Sequence, residues 1–131
     1  MSTRSLICVE VKGVVRACYC HWDGYIENNG VILLDNYKTQ KDVEKLVNLG
    51  SISSLRATFE ETVKEQHSDY HEVSEYHSLM DFLMSAFKGS DCEYFYLWIN
   101  GEWLVFSGHF PQIENEDYIA QGFSLDKLLN L

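Results

Sequence analysis

The chain has one proline, no low-complexity tract and no apolar run near 18 residues, and it carries half as many basic as acidic side chains. Each scarcity excludes something. Without a long apolar run, no transmembrane helix is expected. The opening Met-Ser-Thr-Arg-Ser-Leu-Ile-Cys lacks the apolar core of a secretion signal, so the expected compartment is the cytoplasm. Ten Lys and Arg against twenty Asp and Glu give a net charge of −10. That balance argues against a nucleic-acid binder working through phosphate contacts. There is no Gly-x-Gly-x-x-Gly, no Walker loop, no Gly-x-Ser-x-Gly elbow and no Cys-x-x-Cys. The usual nucleotide, hydrolase and zinc-ribbon readings therefore have no support, and no cofactor is expected.

What is present is the composition of one folded domain: 131 residues, 46% apolar and 14% aromatic. A chain of this size buries roughly two thirds of its unfolded surface and can hold a core without staples. The four cysteines, Cys8, Cys18, Cys20 and Cys92, are expected as reduced thiols. Charge is uneven. Residues 1–56 carry seven bases and six acids, whereas residues 57–131 carry 14 acids against Lys64, Lys88 and Lys127. The negative field belongs to the second half, as an interaction surface for a basic partner or as a solubilising surface.

Two hairpins can be counted from the sequence. Residues 5–11 and 14–22 are rich in β-formers and flank Lys12-Gly13. Pairing Val11 with Val14 makes paired numbers sum to 25. Ser5, Ile7, Val9, Val11, Val14, Arg16, Cys18 and Cys20 then share one face, the expected core face, with Arg16 its awkward member. Glu93–Ile99 and Glu102–Phe106 flank Asn100-Gly101, the favoured two-residue turn. Their paired numbers sum to 201, with Trp98 opposite Trp103. Both faces of this second hairpin are apolar, so helices are expected on one and a partner on the other.

Between the hairpins the pattern is helical. A loop at 23–29 precedes residues 30–37, a short buried helix or strand. Thr39-Gln40-Lys41-Asp42 resembles a capping box, and Val43, Leu46 and Val47 recur at helical spacing up to Gly50. A charged helix is expected over 57–67. Val73, Tyr76, Met80, Leu83 and Phe87 form an amphipathic stripe that ends at Gly89 and reads as core. A short helix around Ser124–Leu129 closes an irregular tail. The expected fold is α+β: two antiparallel hairpins forming one sheet, with three or four helices packed mainly on one face. It is one domain, in which 1–55 form a hairpin with helices, 56–92 an acidic helical insert, and 93–131 the second hairpin and tail.

Few constellations could carry chemistry. The first register sets Arg4 opposite His21, and Asp23 leaves the strand at the same edge. Arg4, His21 and Asp23 are therefore expected to cluster, either for proton transfer and anion binding or as a structural tie. Cys18-Tyr19-Cys20-His21 is a poor zinc motif. Alternate residues on a strand sit about 7 Å apart, and His21 points to the other face. His67 and His71 lie at i, i+4 beside Asp69, Glu72, Glu75 and His77, but without His-Glu-x-x-His they read as a solvated face. No metal site is expected. The candidate protein-binding residues are Glu61, Glu65 and Glu72 for charge and Trp98 and Trp103 as a desolvated aromatic anchor.

Thr3-Arg4-Ser5 and Tyr19-Cys20-His21-Trp22-Asp23-Gly24-Tyr25 resemble the signature of a family of small proteins borne by phages, prophages and plasmids. Gly30-Val31-Ile32-Leu33-Leu34-Asp35-Asn36-Tyr37 and Leu49-Gly50-Ser51-Ile52-Ser53-Ser54-Leu55 extend the likeness over about residues 1–55. Proline often follows the last Tyr of that signature, where this chain has Ile26. The resemblance implies a mobile-element accessory protein in the cytoplasm of a bacterial host. It further implies one that binds and inhibits a host protein with a basic surface, such as a nucleic-acid-handling defence factor of the restriction or CRISPR type. The alternative is a small enzyme or ligand-binding domain built on Arg4, His21 and Asp23.

Overall fold

The computed structural model describes residues 2–67, 72–87, 89–108 and 122–130. Strands β1 (Ser5–Val11) and β2 (Val14–Cys20) form the first hairpin, and β4 (Tyr94–Ile99) and β5 (Glu102–Ser107) the second. Lys12 and Gly13 have φ of 52° and 86°, and Asn100 and Gly101 have 53° and 80°. Both turns thus place two successive residues in the left-handed region, which matches the twist of the flanking strands. Paired numbers sum to 25 in one hairpin and 201 in the other, as counted from the turns.

The two-hairpin, one-face arrangement needs correction. The sheet has six strands in the order β3-β2-β1-β4-β5-β6, with β3 at Ser74–Tyr76 and β6 at Phe123–Ser124. The hairpins meet through a parallel pairing of β1 with β4, Ser5 opposite Tyr94 through Val9 opposite Trp98. These central strands are apolar on both faces, and a sheet of that kind is stable only with both faces covered. One face buries Ile7, Val9, Cys18, Cys20, Tyr96, Trp98, Trp103 and Val105 under Leu33, Val43, Leu46 and Leu125. Those cover residues come from α1 (Val31–Asn36), α2 (Gln40–Val47) and α5 (Leu125–Leu129). The opposite face buries Leu6, Cys8, Val15, Ala17, Phe95, Leu97 and Phe106 under Phe82, Leu83 and Ala86. Phe82 opens that cover from α4 (Leu79–Phe82), which widens into a π-helical turn at Leu83–Phe87.

The amphipathic stripe therefore breaks in two. Val73 and Tyr76 lie at β3, which pairs with β2, and the helix starts only at Leu79. Ser78 is its N-cap: the Ser78 hydroxyl accepts from the Asp81 amide, and the Asp81 carboxylate accepts from the His77 amide. The buried face is Phe82, Leu83 and Ala86, while Met80 and Met84 are turned to solvent. The stretch 56–92 is helical at Phe59–Val63 and Leu79–Phe87 and also supplies strand β3 and the lid of one sheet face.

Other expectations fare variously. Of residues 30–37, Val31–Asn36 form the helix α1, led in by a wide turn at Ile26–Gly30. Thr39 caps α2 by accepting from the Asp42 amide, and Gly50 has φ of 78°. The helix expected over 57–67 is only α3, Phe59–Val63. Its anchor is Thr62, whose hydroxyl accepts from the Arg56 amide and meets the Tyr37 hydroxyl, whereas Val63 is exposed. Arg16 lies on β2 between β1 and β3, where its side chain bonds Asn48 and pairs with Glu75 at 3.3 Å across the β2–β3 ladder. His71, Asp69 and Lys88, and most of the tail from 110, lie outside the described residues. Among the described residues, no helix is long and apolar enough to cross a membrane.

The corrected helix face is testable by urea unfolding. Phe82→Ala should cost about 3–5 kcal/mol, and Met84→Ala should stay within about 0.5 kcal/mol of wild type. Similar costs for the two would place the helix in the wrong rotation.

Candidate functional site: a braced loop at residues 21–25

The five residues after β2 leave the sheet under tight backbone control before the chain enters the turn at Ile26–Gly30. The His21 and Trp22 amides donate to the Ile52 and Ser53 carbonyls at 3.2 and 2.9 Å. Asp23 takes a left-handed φ of 56°, and its carbonyl accepts from Asn28 Nδ2 at 3.0 Å. The Gly24 amide then donates to the Thr3 carbonyl at 2.8 Å. Glycine is required there, because a Cβ would lie 2.7 Å from Ser5 Cβ and 2.9 Å from the Thr3 oxygen. From β4, the buried Tyr96 hydroxyl donates to the Gly24 carbonyl at 2.6 Å. Beneath the loop, the fully buried Asn29 donates to Ser5 Oγ at 3.2 Å and to Cys20 Sγ at 3.5 Å. The Cys20 thiol donates in turn to the Trp22 carbonyl.

The side chains on this frame point outward. Trp22 is 46% and Tyr25 39% exposed, and Asp23 is exposed between them. Exposed aromatics on a backbone held by so many bonds lose little conformational freedom on contact. Sequence reasoning singled out His21 and Asp23 in this run and passed over Trp22 and Tyr25. The available signal was an aromatic–Asp–Gly–aromatic run, in which a left-handed residue and a close-approach glycine fix the backbone.

His21 is half-buried. Its Nδ1 meets the Tyr19 hydroxyl at 2.8 Å, and its ring stands edge-on to Trp22 at 4.6 Å. Burial raises the Tyr19 phenol above its ordinary range, while the charge of Arg4 draws it down. Arg4 and His21 thus both address Tyr19. Asp23 is exposed, and no ion pair joins it to Arg4 or His21 among the described residues.

The acidic and aromatic candidates are dispersed. Glu61 closes the N-terminus of α3 with Thr58, and Glu65 pairs with Arg56 at 3.1 Å. Glu72 is exposed at the rim of a 440 Å³ cleft. Trp98 and Trp103 are only 5% and 3% exposed. Their indole N–H groups donate to Gln40 Oε1 at 2.8 Å and to the Tyr37 carbonyl at 2.9 Å. The hairpin face expected for a partner is covered instead by the chain's own α1 and α2, and Trp98 and Trp103 also line a 520 Å³ cleft.

No protein-family model, curated protein or solved structure matches the chain. The reading of the site rests on its geometry. Among the described residues, no group of three metal-ligating side chains comes together. The thiols of Cys8, Cys18 and Cys20 are pushed up mainly by burial. Cys92 is also raised by burial, with Ser90 and Arg4 drawing it down, and it is only partly covered.

Iodoacetamide labelling read by mass spectrometry tests this brace from within. Cys92 should react first, at a rate still climbing above about pH 9. Cys20, beneath the loop, should react only on unfolding. Labelling of Cys20 as fast as Cys92 would mean that the loop opens.

Proposed function

We propose that this chain is a non-enzymatic interaction protein of a phage or other mobile element. In this reading it binds and inhibits a bacterial host protein with a basic surface, in the host cytoplasm. The class of target is a nucleic-acid-handling defence factor. The observation that carries the reading is the braced loop with Trp22 and Tyr25 exposed on either side of Asp23. Binding energy concentrates in a few rigid aromatic anchors, tryptophan and tyrosine above all. The net charge of −10 supplies the steering term: long-range attraction speeds encounter with a cationic surface. The likeness of residues 1–55 to mobile-element proteins supports the setting.

The alternative keeps one observation in its favour, the Tyr19–His21 hydrogen bond with Arg4 acting on the same phenol. A small enzyme would need a concavity enclosing His21 and Asp23. The clefts of 440 and 520 Å³ are lined by other residues.

Affinity capture from bacterial lysate with wild type and with the Trp22→Ala, Tyr25→Ala double variant tests the proposal. Both side chains are exposed, so the double variant should keep its fold. A host protein should be recovered by wild type and lost with the variant. Against that partner, Trp22→Ala should speed dissociation about 30-fold, the scale of a 2 kcal/mol anchor. Raising salt from 0.1 to 1 M should slow association, as the screening length falls from about 10 to about 3 Å. Equal recovery by both proteins would refute the loop as the contact.

A further inference from the structure

The braced loop sets carboxylates beside its aromatics, and that pairing narrows what it binds. Trp22, Asp23, Tyr25 and Glu27 are all exposed. The Trp22 indole is held on one side by His21, whose ring stands edge-on to it at 4.6 Å and 86°. His21 is fixed in turn by the Tyr19 hydroxyl at its Nδ1. The Asp23 backbone is set by its left-handed φ of 56° and by Asn28, which donates to its carbonyl. An oriented indole and a carboxylate thus stand on adjacent residues, whose Cα atoms are about 3.8 Å apart. Other carboxylates are engaged within the chain: Glu65 on Arg56, Glu75 on Arg16 and Asp81 on the His77 amide. Asp23 forms no ion pair among the described residues. The charge of Arg4 acts on Tyr19 and Cys92.

A flat cation suits this pair of groups. The guanidinium of arginine is planar and weakly hydrated, stacks on an aromatic face and donates in a fork to a carboxylate. The lysine ammonium is a compact, strongly hydrated point charge without a face to stack. Among aromatic side chains, tryptophan is the best partner for a cation over its ring. Surfaces that handle nucleic acid carry arginine for the same fork, aimed at phosphates. We propose that the loop takes an arginine side chain of its partner, with the guanidinium on the Trp22 indole and against the Asp23 carboxylate. The inference rests on the reading of the loop as a protein contact and names the group that it recognises.

The test is a titration of the full chain with hexa-arginine and with hexa-lysine, peptides of equal charge, followed by amide and indole N–H chemical shifts. The Trp98 and Trp103 indoles are bonded inside the fold and serve as internal controls. Hexa-arginine should shift the Trp22 indole and the Asp23 amide saturably. It should bind about five-fold tighter than hexa-lysine, the scale of one exposed cation–π contact. Trp22→Ala should erase that preference. Asp23→Asn should weaken hexa-arginine about three-fold, the scale of one exposed ion pair, and asparagine tolerates the left-handed φ, so the loop keeps its shape. The inference is overturned if the two peptides bind wild type alike, if either variant binds as wild type does, or if the shifts fall only outside residues 21–27. Host capture lost in the Trp22→Ala, Tyr25→Ala variant, with equal affinity for the two peptides, would keep the loop as a contact and remove arginine as its target. Host capture unchanged in that variant, with the hexa-arginine preference intact in wild type, would uphold the arginine site and remove the loop as the host contact.

Discussion

The parallel contact between β1 and β4 is the constraint on which the rest of the structure depends. Each hairpin is local and is closed by its own left-handed turn. Joining them is not local, because Ser5–Val9 must find Tyr94–Trp98 across the whole intervening chain. Once joined, two strands apolar on both faces lie at the centre of the sheet, and neither face can be left wet. The chain between the hairpins answers this from two directions. The segment before residue 57 covers one face with α1 and α2, and the segment around residue 82 covers the other.

The same contact makes the exposed loop rigid. Tyr96 belongs to β4 and Gly24 follows β2, so their 2.6 Å hydrogen bond exists only because β1 holds the two hairpins side by side. Thr3 and Ser5, at the start of β1, complete the brace from the strand in between. Stability and presentation are thus one mechanism, in which a buried phenol and a buried asparagine spend their polar groups on holding a surface turn. Under the proposed reading as an interface, holding these two exposed aromatic side chains in place would lower the entropic cost of binding. In the proposed reading the acidic surface would add reach without specificity; part of it is engaged within the chain, at Glu65 with Arg56 and Glu75 with Arg16.

Local signals were legible in the sequence and long-range ones were not. Asn100-Gly101 and Lys12-Gly13 named their turns, and counting from them set every pair in both hairpins. Thr39 and Gly50 marked the two ends of α2. The joining of β1 to β4 has no local signature, so the one-face arrangement missed the second cover. The stripe from Val73 to Phe87 misleads because the spacing fits a helix, whereas β2 offers Ser74–Tyr76 an edge to pair with and the Ser78 cap starts the helix later. Trp98 and Trp103 suggest an exposed anchor from sequence because their own hairpin gives no hint that Gln40 and Tyr37 receive their N–H groups. At the site, sequence placed His21 and Asp23 at the right edge of the sheet. It could not show that Trp22 and Tyr25 are the side chains left outside.

The central claim is that residues 21–25 are as ordered as the sheet while displaying exposed aromatics, and backbone ¹⁵N relaxation measures this most directly. The amides of His21 to Tyr25 should give order parameters near the value of about 0.85 typical of rigid backbone, matching β1 and β4. Values below about 0.6 across these residues, with the strands still rigid, would contradict the account, since a mobile Trp22 would be a loose surface side chain and not a presented one.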